Sequence, residues 1–215
     1  MNTLPVLLSI LFLFASAAVE SESASSRVDF SDQYYMNYKT VRAYGSKAIE
    51  GTLYLSGVDI TSFADVTNGT RGIYMSFCWG SNTMYDADCV ICTAMYTNSA
   101  SDSFTCVEEV VLSSTPPFES VELTSDELTY TTDSLNWNGN DTSATVTFTR
   151  TFTVAALNAA SLVVGTQDAV WAVGTYTDPY VDQHSSRGIT TINLLDISSA
   201  TYLLSSLLVI AIMVI

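Results

Sequence analysis

The chain has 215 residues and a formal charge of −15, with 22 Asp+Glu against seven Lys+Arg. Cations this few and this scattered argue against nucleic-acid binding, which needs Lys and Arg to neutralise phosphates. Thr, Ser, Val and Tyr are abundant and only 13% of residues are charged, a β-rich composition on a length that suits one domain plus processing segments.

In chain order, the first feature is the apolar run Leu4–Phe14, followed by Ala15-Ser16-Ala17-Ala18. This reads as a signal peptide over residues 1–18, too short for a span. Ser21–Ser26 is a polar leader. Short period-two runs begin at Val28, with Tyr34–Tyr38 and Ala48–Leu55 the first expected strands. Thr67-Asn68-Gly69-Thr70 is a turn signal, and Asn68 is a glycosylation acceptor. Gly72–Cys78 is the next strand, followed by a loop at Gly80–Asp86. Asp88–Thr97 and Ser103–Leu112 are two more, joined by the polar turn Asn98–Asp102.

Pro116-Pro117 breaks the pattern, and Glu119–Thr131 is a polar alternation. Asn136–Asn140 is a turn in which Asn140 is a second glycosylation acceptor. Ala144–Val154 is the clearest amphipathic strand. Val146, Phe148, Arg150, Phe152 and Val154 share one parity and threonines fill most of the other. Arg150 on the apolar parity either snorkels at an edge or pairs inside with a carboxylate or a ligand's anionic group. Val170–Val173 is a strand leading into a polar loop with a turn signal at Asp178-Pro179. That loop carries His184, the sole histidine, and Arg187-Gly188 before the apolar alternation Ile189–Leu194. No segment holds helical spacing, so the expected fold is an all-β antiparallel sandwich of immunoglobulin-like architecture over residues 28–196.

Residues 197–215 close with the apolar run Tyr202–Ile215 after Ser198-Ser199-Ala200. They read as a GPI-attachment signal, with a single membrane span as the rival. Either one tethers the domain on the extracellular side of the plasma membrane. Four cysteines on a secreted chain imply disulfides. Cys92 and Cys106 lie almost symmetrically about the Asn98–Asp102 turn, and Cys78 and Cys89 flank the Gly80–Asp86 loop in the same way. The expected bridges are therefore Cys78–Cys89 and Cys92–Cys106. A zinc site built on Cys89-x-x-Cys92 lacks a second pair of matching spacing.

Phe77-Cys78-Trp79-Gly80 leads to Met84-Tyr85-Asp86-Ala87-Asp88. Trp171-Ala172-Val173-Gly174 leads to His184, Arg187-Gly188 and Ile192-Asn193-Leu194. In their order and spacing these elements resemble the DOMON domain, an extracellular β-sandwich module, over most of Val28–Asp196. Many DOMON domains hold haem b between a Met and a His. The resemblance thus implies Met84 and His184 as axial ligands of the haem iron, a pair suited to electron transfer. It implies a pocket wall from Trp79, Tyr85 and Trp171, with Arg187 either a surface charge or a partner for a haem propionate. The redox partner would be a separate membrane cytochrome or a small reductant. Other DOMON domains bind sugars or act as adhesion modules. The second reading is accordingly a cofactor-free surface glycoprotein that binds carbohydrate or a partner protein. No acid/base pair, activated nucleophile or phosphate loop is legible, so the chain does not read as an enzyme.

Overall fold

The computed structural model describes residues 22–61, 71–83, 85–97, 102–111, 120–122, 128–153, 160–177 and 180–197. The expected signal peptide, the expected anchor beyond Ile197, Asn68 and Met84 lie outside them. In chain order the strands are β1 (Ser26–Asp29), β2 (Tyr34–Ala43), β3 (Ser46–Val58), β4 (Arg71–Trp79), β5 (Asp88–Met95), β6 (Phe104–Val111), β7 (Ser120–Glu122), β8 (Leu128–Asn136), β9 (Thr142–Thr151), β10 (Gly165–Thr177) and β11 (Tyr180–Leu194). They form a five-stranded sheet, β1-β2-β3-β9-β8, and a six-stranded sheet, β11-β10-β4-β5-β6-β7. All pairings are antiparallel. The expected all-β sandwich is the observed fold.

Alternation decides which residues enter the core. In β9 the even-numbered positions Ala144, Val146, Phe148 and Arg150 are buried, and the threonines between them are half-exposed. The partner positions Ile49 and Leu53 on β3 and Met36 and Tyr38 on β2 are buried on the same face. β4 differs, because every residue after Arg71 is buried. Ile73, Met75, Phe77 and Trp79 enter the main core, whereas Tyr74 and Cys78 join a second cluster with Cys89, Ile91, Val170 and Ala172. A strand covered on both faces reads as a continuous apolar run, and Gly72–Cys78 does so.

The two sheets are locked together by aromatic side chains. Phe30 packs on Tyr34 at 4.8 Å between centroids and on Trp171 at 5.6 Å. The Tyr34 hydroxyl crosses the interface and donates to the Ser76 carbonyl at 3.0 Å.

Two expectations are corrected in detail. Glu119–Thr131 is not one alternating stretch: β7 joins the six-stranded sheet and β8 the five-stranded one, so the chain changes sheets between them. The polar loop expected after Val173 is instead a long hairpin, with β11 paired to β10 from Thr177↔Tyr180 to Gly165↔Leu194. β11 is an edge strand, and Ser185, Arg187, Ile189, Thr191 and Asn193 are exposed. From Asp182 to Gly188 the strand is polar or small on both parities, and its buried apolar positions among the described residues are Ile192 and Leu194, so the first part of its sequence resembles a loop.

Candidate functional site

His184 lies in β11 opposite Gly174, and Gly174 lies opposite Tyr74 on β4. The segment that brackets the other candidate ligand, Gly80–Thr83 and Tyr85–Ala87, connects the far end of β4 to β5, beyond the Trp79↔Asp88 pair. Tyr74 and Trp79 are five residues apart on one strand, about 17 Å at the usual rise. Two axial ligands on one iron bring sulfur and nitrogen within roughly 4–5 Å of each other. The register thus holds His184 and the flanks of residue 84 toward opposite ends of the six-stranded sheet. Met84 itself, the other expected ligand, lies outside the described residues.

Of the expected pocket residues, Trp79 and Trp171 share the main core on neighbouring strands, Trp171 pairing with Phe77 and Trp79 with Ala169. Trp171 is buried in the main core, and its indole lies over Gly188, where an added Cβ would sit 2.8 Å from the ring. Gly174 is covered in the same way by the Tyr74 ring, at 2.9 Å. The Trp-Ala-Val-Gly and Arg-Gly pieces therefore have packing roles: each glycine leaves room for a ring from the neighbouring strand. Trp79 is fully buried and donates its indole N–H to the Ala160 carbonyl at 2.9 Å. Tyr85 and Arg187 are exposed. Asn140 is exposed beside the β8–β9 turn, as a glycan acceptor must be.

Both expected bridges form. Cys78 faces Cys89 across β4–β5, and Cys92 faces Cys106 across β5–β6. Symmetric spacing about a turn translates directly into facing positions when no bulge intervenes, and neither pairing contains a register shift.

The strongest electrostatic feature is a buried cluster around Arg150, which bridges the two sheets. Its Nη2 donates to Glu108 Oε1 at 2.7 Å and to Asp88 Oδ2 at 3.1 Å, and its Nε donates to Glu108 Oε1 at 3.0 Å. Its Nη1 and Nη2 also donate to the carbonyls of Thr151, Phe152 and Ala160. The guanidinium sits 4.7 Å over the Trp79 ring. Asp88 Oδ2 additionally accepts the Ala160 N–H at 3.0 Å.

No protein-family model and no curated protein matches this chain.

Two carboxylates around one guanidinium leave an excess negative charge. Asp88 Oδ1 and Glu108 Oε2 are buried and take no donor among the described residues. Burial first, then the neighbouring Glu108 carboxyl, pushes the Asp88 carboxyl up to about 7 despite the opposing pull of Arg150. A proton retained on Asp88 balances the cluster and donates toward Glu108. Of the two readings that the sequence left open for Arg150, an edge position or an inward pairing, the structure shows the pairing with carboxylates. Nothing in the sequence marked Glu108, a residue in a run of mixed polarity, as its partner.

Proposed function

We propose that the chain is a membrane-tethered extracellular β-sandwich module that binds a carbohydrate or a partner protein through its surface and holds no haem. The observation that carries this reading is the strand register, which separates His184 from the flanks of residue 84 along β4. Two bridged cysteine pairs suit an oxidising compartment. The outer face of the five-stranded sheet supports the binding role. There, Asn37, Thr52, Thr147 and Thr131 form one cross-strand row, and Tyr35 stacks on Tyr54 at 4.5 Å beside it. Such a face offers hydroxyl, amide and phenol groups to a polar ligand.

The test is an absorption spectrum of the purified full chain after incubation with haem b. The expected result is no Soret band above that of a His184→Ala control. A Soret band lost in both His184→Ala and Met84→Leu would restore the electron-transfer reading, with a separate membrane cytochrome or small reductant as partner.

A further inference from the structure

We propose that the end of the sandwich carrying Tyr44, Tyr85, Val163, Val164 and Leu195 rests on a zwitterionic lipid surface, an inference that builds on the membrane-tethered reading above. Seven large hydrophobic residues are exposed among the described residues, and these five are between 39% and 67% exposed. The register places all five at one end. Tyr44 is at the turn between β2 and β3, and Tyr85 lies in the connection after Trp79. Val163 and Val164 precede Gly165, which pairs with Leu194, and Leu195 follows that pair. The remaining two, Tyr130 and Ile189, sit within strands opposite Phe148 and Val170.

The two sheets share this end. Arg150 of β9 reaches Asp88 at the start of β5. The Lys47 carbonyl at the start of β3 accepts the Phe152 N–H at 2.8 Å, and Lys47 Nζ meets Asp196 Oδ1 at 2.6 Å just beyond β11.

The same end is where the chain leaves the fold toward its longest apolar run outside the sandwich. Ile197 is buried, and Tyr202–Ile215 begins five residues later. Five residues reach at most roughly 18 Å, so a tether within that run holds this end, and not the Asn138-Gly139 end, against the bilayer.

The chemistry of the patch suits an interface. Tyrosine presents an apolar ring with a polar tip at headgroup depth. Arg42 and Lys47 face each other across the hairpin that carries Tyr44, two of the seven cations in an acidic chain. Tyr44 itself holds φ 51°, a conformation that turn sequences normally give to Gly or Asn, at a tip that no core packing rewards. Asp86 beside Tyr85 and the overall −15 charge favour a zwitterionic surface over an anionic one.

The experiment uses the full chain in phosphatidylcholine proteoliposomes. All four native cysteines are bridged, so Val164→Cys or Asn138→Cys adds a single labelling site for an environment-sensitive fluorophore. The expected result is strong quenching by spin-labelled lipid at 164 and none at 138, with the signal at 164 reduced when phosphatidylserine is added. Placing Tyr44→Glu and Val163→Glu in the 164-labelled protein should drop its quenching to the level seen at 138. If the chain floats with the liposomes but label 164 stays unquenched, the lipid-contact proposal is overturned and the tether stands. If the chain fails to float, the tethered reading falls and the proposal with it.

Discussion

Arg150→Ala is expected to lower unfolding stability by about 3–5 kcal/mol, the range for breaking a buried charge cluster from one side. The guanidinium is fully buried and holds two carboxylates and three carbonyls. Its removal leaves Asp88 and Glu108 buried without a cation, and takes the cation from the Trp79 face. Denaturant unfolding at neutral pH checks this, and a loss below about 1 kcal/mol would show that the cluster is solvated.

The same cluster sets a pH dependence. The Asp88 carboxyl rises from 3.8 to about 7 on folding. Below pH 4 both states carry the proton and stability is unaffected. Between about 4 and 7 the unfolded chain ionises while the folded one retains its proton, so stability falls as pH rises through that window. Above it the deficit is constant. Asp88→Asn keeps an acceptor for Arg150 and Ala160 and a donor toward Glu108. The variant is therefore expected to match the wild type near pH 4 and to exceed it in stability at pH 8. A stability difference that stays constant between those pH values would contradict the retained proton.

Removing either disulfide is expected to cost roughly 3 kcal/mol through loop-closure entropy, since the bridges close loops of 11 and 14 residues. Cys92 and Cys106 lie in the main core, and Cys78 and Cys89 in the second cluster on the other face of the six-stranded sheet. Changing both pairs to alanine removes about 6 kcal/mol from a total of roughly 5–15 for a domain. The doubly reduced or fourfold-substituted protein should therefore lose its cooperative thermal transition or show it far lower. An unchanged unfolding midpoint after reduction would mean that the bridges constrain little of the unfolded chain.

The candidate site was legible only in part. The glycines and tryptophans of the two motif-like stretches stood out in the sequence, yet their observed roles are Trp171 over Gly188 and Tyr74 over Gly174. The first contact lies within the β10–β11 hairpin and the second joins strands far apart in the chain, and a spacing pattern cannot separate either from a ligand pocket. His184 was legible as the sole imidazole, but the hairpin around it was not. From Asp182 to Gly188 both rows of β11 are polar or small, so the period-two pattern that reveals a strand is missing around His184.

By itself the sequence determined the all-β class, the amphipathic β9 and both cysteine pairings. Each depends on local alternation or on symmetry about a nearby turn, and the strand geometry enforces both. Only the tertiary structure decided that β7 and β8 part into different sheets, and that Arg150 meets Asp88 and Glu108 from 62 and 42 residues away. It also decided that five exposed apolar residues gather at the end where the chain leaves the fold. These are consequences of how two sheets stack and which strands neighbour one another. Many strand orders bury the same alternating residues equally well, so the alternation alone cannot choose among them.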